Sequence, residues 1–574
     1  MRKIIVTVLA LLTFTALSVG KTQLRNQGDA VQLIVDGKPF IVLGGELGNS
    51  SAACASDIEA NFAKLHKMGL NTVLVPAYWD LTEPVEGQFD FTLTDKVLEE
   101  ARANDLKVIF LWFGAWKNSM SCYAPLWFKK DYEKYPRAYT KEGKPLEIAS
   151  SFSENVFQAD NKAFTTWLRH VAEEDKGHGT VIMVQIENEI GMLEDARDHS
   201  EIADGYFNSP VPQELMSFLR KNSKGLHPYM GEKWLANGGK TKGTWTEIFG
   251  DDIYTDEIFM AWHYARYVER MAQSAREIYD VPLYVNAAMN SRGRKPGEYP
   301  SAGPLAHLID IWHAGAPTID FISPDLYDDG FKGWVARYHL HNNPLFIPET
   351  KHMLNNGVRA FYVLGEHDAI GISPFAIEDG SAEQGTPFVE GYEKLREMMP
   401  LITKWQGKDA MWGLLFAQHD QERIISDGDI TMTCRHNFTL PWDPRATDGS
   451  EWPEGGGIII RLAKDEYIVA GNGIVVEFAT GQEKDASSVI QETLGEDGFV
   501  TSGSDAVNSQ AVVPVRPWTA QRCGIGFCDE VDVRPDGSFE YVRRLNGDQD
   551  HQGRHVRISV GDYKVLHVKL YRYL

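Results

Sequence analysis

Three short stretches hold the residues whose types could do chemistry. At 180–192 a run of β-formers, Thr-Val-Ile-Met-Val-Gln-Ile, breaks off into Glu187, Asn188 and Glu189. At 345–350 Leu-Phe-Ile-Pro ends in Glu349 and Thr350, and at 323–327 Ser-Pro-Asp-Leu leads into Tyr327. Unpaired carboxylates at the end of an apolar strand cost stability unless a site needs them. Two carboxyl groups facing one bond suit glycoside hydrolysis: one gives a proton to the departing oxygen and the other supports the anomeric carbon. A separation of about 5–5.5 Å implies a covalent intermediate and retention of configuration. Glu189 is expected as the acid/base, its proton favoured by burial and by a negative Glu349. Glu349 is expected as the nucleophile, with Tyr327 as a donor to it, and the Asn188 amide is placed against a sugar hydroxyl.

These residues need elements that bring them to one place. From about residue 30 to 405, short apolar runs alternate with helical stretches, the signature of a parallel sheet with crossover helices. Strands are expected at 41–47, 72–76, 107–112, 181–187, 283–287, 319–323, 345–348 and 369–374, and helices at 56–68, 94–104, 162–174, 264–279, 304–314 and 389–399. Eight such units predict an α/β chain with a (β/α)8 TIM barrel, whose chemistry sits at the C-terminal strand ends. Glu187 to Glu189 end strand four, Glu349 ends strand seven, and Glu46 ends strand one. Tyr78, Trp79, Trp112 and Trp116 gather at the ends of strands two and three. Flat aromatic faces bury the C–H faces of sugars, so at least one of these tryptophans is expected to contact substrate. A hairpin, 31–36 with 38–40, leads into the barrel.

After about residue 405 the pattern changes to strands at 458–463, 467–470, 474–478, 539–545, 556–560 and 564–573, some separated by Asp-Gly or Gly-Asp turns. Leu566, Val568 and Leu570 alternate with His567, Lys569 and Tyr571, the period of a half-buried antiparallel sheet. The expected division is 1–20 a signal peptide, 21–408 the catalytic barrel and 409–574 an all-β sandwich domain. The leader reading rests on Arg2 and Lys3, an apolar stretch from Ile4 to Leu17 and small residues at Ser18 and Gly20, and it predicts an exported, periplasmic or secreted protein.

Composition narrows the partners. A net charge of −23 argues against nucleic acid and anionic membrane surfaces. After leader cleavage no membrane association is expected, and the oligomeric state, monomer or dimer, stays open. No His-Glu-x-x-His, Gly-x-Ser-x-Gly, phosphate-loop or dinucleotide motif is present, so neither a cofactor nor a metal is expected. Asp325, Asp328 and Asp329 could hold Ca²⁺, but a solvated loop is the better reading. Five cysteines do not make a disulfide scaffold; Cys523 could pair with Cys528, or either with Cys434, and buried thiols fit equally.

The motifs together resemble family 35 of the glycoside hydrolases, the β-galactosidases. Val184-Gln185-Ile186-Glu187-Asn188-Glu189 with Gly191 is similar to that family's acid/base segment, and Glu83-Pro84-x-x-Gly87-x-Phe89-Asp90-Phe91 to its second-strand stretch. Ile347-Pro348-Glu349-Thr350 resembles the nucleophile strand of a bacterial subgroup, in which Tyr299-Pro300, the segment 320–327 and a C-terminal β-domain also recur. The resemblance implies a retaining exo-β-galactosidase with Glu189 as acid/base and Glu349 as nucleophile, acting on oligosaccharides such as xyloglucan side chains. At strand three the animal and fungal members carry a galactose-binding glutamate in Ala-Glu-Trp. Here Gly114-Ala115-Trp116 has none, and Lys117 or Asn118 stands nearest. An α-L-arabinosidase, another related glycosidase and a non-catalytic carbohydrate-binding barrel are the alternatives; the presence of both glutamates weighs against the last.

Overall fold

Eight apolar segments pair side by side in a computed structural model that describes residues 21–290, 292–340, 342–440, 442–486, 520–545 and 555–574. They are β1 (Val42–Glu46), β2 (Thr72–Tyr78), β3 (Lys107–Phe113), β4 (Val181–Gln185), β5 (Leu283–Ala288), β6 (Phe321–Leu326), β7 (Phe346–Thr350) and β8 (Gly371–Pro374). Each runs parallel to the next in the chain and β8 returns to β1, closing the expected barrel. Strands of this kind are covered on both faces, which is why β2 and β7 are rich in apolar residues and buried throughout. Closure at β8–β1 is tight: a Cβ on Gly371 would lie 2.3 Å from the Val42 carbonyl oxygen. A three-stranded sheet, Thr22–Gln27, Ala30–Val35 and Lys38–Phe40, precedes the barrel. The expected leader, 1–20, lies outside the described residues.

At three strands the end differs from expectation in a way that moves a functional residue. β4 stops at Gln185, two residues early; β6 runs on to Leu326; β7 runs on to Thr350. Asp325 and Glu349 thereby become register partners on adjacent strands, at the same height and on the same face of the barrel wall. The helices before β4 and β5 also begin earlier than expected, at Glu154 and Ile253. Ser153 and Asp252 set those starts, their side-chain oxygens accepting from the first free backbone N–H groups, Val156 in one case and Tyr254 and Thr255 in the other.

The chain divides into two compact units, 1–352 with 370–381, and 353–369 with 382–574. In the second unit a six-stranded and a four-stranded antiparallel sheet share one core that includes Leu414, Ile459, Val469 and Leu566 from one sheet and Met432, Ile474, Val476 and Val556 from the other. Four of its strands escaped the sequence reading: Met411–Phe416, Arg423–Asp427, Ile430–His436 and Arg522–Val533. The second unit also takes in helix Pro387–Trp405, expected at 389–399 within the 21–408 region, and helix Asn356–His367, which lies in the same region. The reason is specific pairing within that unit. Arg359 grips Glu454 through two hydrogen bonds of 2.8 and 2.9 Å, and Arg423 does the same to Glu366 at 2.7 and 2.9 Å. All five cysteines are free thiols, and Cys434, Cys523 and Cys528 are buried as apolar filling in the shared core.

Candidate active site

Past Gln185 the backbone leaves the strand through two left-handed residues, Glu187 (φ 59°) and Glu189 (φ 48°). Neither is glycine, so each costs on the order of 1–3 kcal/mol and must be held in place. The holding contacts are on every side. Gln185 Nε2 donates to the Glu187 carbonyl at 2.9 Å, Glu189 N donates to Asn286 Oδ1 at 2.9 Å, and Ser119 N donates to the Glu189 carbonyl at 3.1 Å. This kink turns alternate side chains in different directions: Glu187 goes behind the barrel mouth while Glu189 faces into it.

In the mouth, Glu189, Asp325 and Glu349 each place a carboxyl oxygen within 4.8 Å of the others. Tyr327 donates its hydroxyl to Glu349, as expected, although the ring itself is 47% exposed. Glu46 reaches Glu349 from β1 and shares a hydrogen bond with it. Burial, then the charge on Glu349, drives Glu46 well above the ordinary carboxyl range, so Glu46 carries the shared proton. Burial and the Glu189 charge push Glu349 up to about 7, against the opposing effects of Lys117, Tyr327 and Glu46. The Glu189 carboxyl makes no hydrogen bond to the described residues, which leaves it free to pass a proton to a ligand.

Asp325 is the residue the sequence reading misplaced. It is 1% exposed, not part of a solvated loop, and accepts from Asn286 Nδ2 at 2.7 Å. Burial and then the charges of Glu349 and Glu189 raise its pKa well above the usual carboxylate value. Of the acidic group with Asp328 and Asp329, Asp328 does lie outside, paired with Arg292 at 2.6 Å. An Asp-x-x-Asp-Asp spacing gives no local sign of this split. Only the three extra residues of β6 reveal it.

Asn188 is fully buried and accepts from Lys117 Nζ at 2.9 Å, while its Nδ2 has no partner in the protein. Asp325 Oδ1 is likewise buried without a partner. Buried polar atoms left in this way are rare and cost about 1–3 kcal/mol each. Here they line the space beside two reactive carboxyls, where the hydroxyl groups of a sugar could satisfy them.

The tryptophans are corrected by the structure. Trp79, Trp112 and Trp116 have no exposed surface and cannot serve as platforms. Trp79 donates to Glu83 at 2.9 Å and Trp112 to Asp160 at 3.0 Å, so both indole N–H groups are already satisfied inside. Trp116 packs between the rings of Tyr264 and Tyr267. Fifteen tryptophans in a long chain mostly fill its core. Asn118 is exposed in a left-handed turn (φ 51°), and it is Lys117 that meets the carboxyls.

Glu187 belongs to a second, inner carboxyl pair. It is buried against Asp160, to which it is hydrogen-bonded, and its Oε2 accepts from Trp116 N at 2.8 Å. Asp160 accepts in turn from Trp112 and from the Tyr267 hydroxyl at 2.8 Å. The pair therefore holds the loop after β3, which carries Lys117. Burial first, then the neighbouring Asp160 charge, raises Glu187 well above the ordinary range, and burial raises Asp160. The folded state thus retains a proton that the unfolded chain releases near pH 4, so stability falls as pH rises from there towards the folded-state values. In Glu187→Gln the amide keeps the acceptor for Trp116 N and donates to Asp160. Its melting temperature is expected to decline less between about pH 5 and 9 than that of the parent. Parallel melting curves would remove the shared proton from the account.

Gly114 has a steric reason. A Cβ there would lie 2.3 Å from Trp112 Nε1, 2.6 Å from Asp160 Oδ1 and 2.7 Å from Glu187 Oε1. Gly114→Ala is expected to cost about 3 kcal/mol, read by urea unfolding, because none of these three groups has room to move. A loss under about 0.5 kcal/mol would mean that the inner pair is loosely packed.

Parts of the chain are similar to known proteins. Residues 51–250 match a glycoside hydrolase family 42 model described as β-galactosidase, and residues 388–557 match a domain of unknown function. A β-galactosidase of Xanthomonas manihotis is 30% identical over 180 residues, covering 30% of this chain and 27% of that protein. The chain thus spans about a quarter of the length of this curated relative. Among solved structures, the β-galactosidase of Rahnella sp. R3 overlays with a TM-score of 0.43 at 16% identity, over 64% of this chain and 57% of that one. The enzyme of Bacillus circulans sp. alkalophilus gives 0.43 at 14% identity, over 64% and 57%.

Proposed function

We propose that the protein is a retaining β-galactosidase that removes terminal non-reducing β-D-galactose from oligosaccharides by double displacement. The observation that carries this reading is the approach of the Glu189 and Glu349 carboxyl oxygens, within 4.8 Å, one from the turn after β4 and the other from the end of β7. Close approach of the two carboxyls fits the retaining arrangement, in which the second carboxylate attacks the anomeric carbon directly. Glu349 bonds to the anomeric carbon as Glu189 protonates the leaving oxygen. Glu189 then takes a proton from water as water displaces Glu349. The match of residues 51–250 to a β-galactosidase model supports the sugar.

The finer reading is exo action on galactosylated xyloglucan side chains by an exported enzyme, following the family 35 resemblance and the sequence of residues 1–20. The test is a hydrolysis panel of aryl β-galactoside, β-glucoside, α-L-arabinopyranoside and galactosylated xyloglucan oligosaccharides. Galactose release from the aryl galactoside and the xyloglucan fragments is expected. Preference for the arabinopyranoside would move the assignment to an arabinosidase, a real alternative because strand three carries no glutamate for galactose. No turnover of any member would leave a carbohydrate-binding barrel.

A further inference from the structure

Lys117 is a buried cation that takes no part in the proton transfers and bond changes of the double displacement. It is 4% exposed, and its Nζ lies 4.9 Å from the centre of the Phe113 ring. The loop that carries it is tightly made: Lys117 N donates to the Met120 carbonyl at 2.8 Å and Met120 N to the Lys117 carbonyl at 3.0 Å. Asn118 and Ser119 between them are both left-handed, and Ser119 is tied to the Glu189 carbonyl. Lys117 and Asn188 also form a parallel backbone bridge. The lysine is therefore locked to the segment that bears the acid/base.

Two consequences follow from its chemistry. An ammonium group can only donate, so the Asn188 oxygen must face Lys117 and the amide N–H₂ must face away from it. That N–H₂ is the buried donor with no partner in the protein. Lys117 also feels the charges of Glu349, Glu189, Glu46 and Asp325, four carboxyls carried by β7, the turn after β4, β1 and β6. Burial works against its charge, but these four carboxyls outweigh burial and hold its pKa above the usual lysine value.

We propose that Lys117 is a positioning residue for the reaction, aiming the Asn188 amide at a sugar hydroxyl and supplying the positive charge to the four-carboxyl mouth. This rests on the hydrolase reading of the same site. In place of the acceptor that a glutamate on strand three would offer, this chain presents a donor, relayed through Asn188. The groups facing Glu349 are Lys117, Glu189, Glu46, Asp325, Tyr284 and Tyr327, and Lys117 is the cation among them. Its removal therefore leaves Glu349 harder to ionise.

The experiment compares the full chain with Lys117→Met and Asn188→Asp, measuring kcat/KM for an aryl β-galactoside across pH. Hydrolysis by the unaltered chain comes first; its absence would defeat the hydrolase reading and not the role of Lys117 within it. Lys117→Met is expected to lose about a hundredfold in kcat/KM at its optimum. Its acidic limb should also move up by about one pH unit, because the cation no longer opposes protonation of Glu349. An unmoved limb, whatever the activity, would reduce Lys117 to a packing role and overturn the proposal. Asn188→Asp keeps the contact to Lys117 as an ion pair, so it tests the relay even if Lys117→Met does not fold. Replacing the N–H₂ by a carboxylate oxygen should lower kcat/KM by about a hundredfold, and activity equal to the parent would overturn the relay.

Discussion

Glu349→Gly is expected to abolish turnover of an aryl β-galactoside, with kcat reduced by a factor on the order of 10⁴ or more, while the protein still melts cooperatively. The size follows from the chemistry: without the carboxylate no covalent intermediate forms, and the remaining groups provide only binding and a proton. The fold should survive because Glu349 is held above its ordinary pKa by burial and by the Glu189 charge, so its removal relieves a charge conflict. The substitution also leaves a space at the anomeric carbon. Added azide should enter there and yield an α-galactosyl azide, the inverted product. Activity equal to the parent, or recovery of the β-anomer with azide, would take the nucleophile role away from Glu349.

Glu189→Ala is expected to separate substrates by leaving group. Hydrolysis of a natural disaccharide needs a proton on the departing oxygen and should fall by about 10³–10⁴. An activated aryl galactoside leaves without that help, so formation of the glycosyl-enzyme should fall far less, with its breakdown becoming limiting. Azide should then speed turnover and give the β-anomer, because it attacks the Glu349 intermediate from the side that water uses. The two variants thus predict opposite anomers from one reagent. Equal losses on both substrates, or an α-azide from Glu189→Ala, would exchange or refute the roles. The unencumbered Glu189 carboxyl, next to a Glu349 gripped by Tyr327 and Glu46, is the structural basis for this assignment.

How much of the site could be read in advance depended on how local each signal was. Glu349 was legible because β7 is a short apolar run that ends in it, and strand ends on one side of a barrel hold the chemistry. Glu189 is legible from the same kind of break, although the residue pattern extends β4 to Glu187 and the strand ends at Gln185. The left-handed turn that separates the directions of Glu187 and Glu189 is made by partners from other segments, Asn286 and Ser119. Asp325 was missed because three aspartates near one another look like a solvated loop, and only pairing with β7 draws the first of them inside. The tryptophans misled for a related reason. A strand-end indole has the same residue type whether it faces a sugar or donates to Asp160, and Asp160 comes from a helix far along the chain.

The sequence by itself determined the barrel, its eight strands in order, the β-rich C-terminal region and the two glutamates that face each other. Each of these follows from hydrophobic period and strand-end composition, which are properties of neighbouring residues. The tertiary structure alone decided which carboxyls share protons, which polar atoms stay unpaired, and that the lysine of the strand-three loop stands among four carboxyls. It also decided that the helix expected at 389–399 falls in the same compact unit as the β-sheets. These depend on desolvation and Coulomb interactions between groups brought together across the fold. Such energies change steeply with distances of a few ångströms, and residue order does not encode those distances locally.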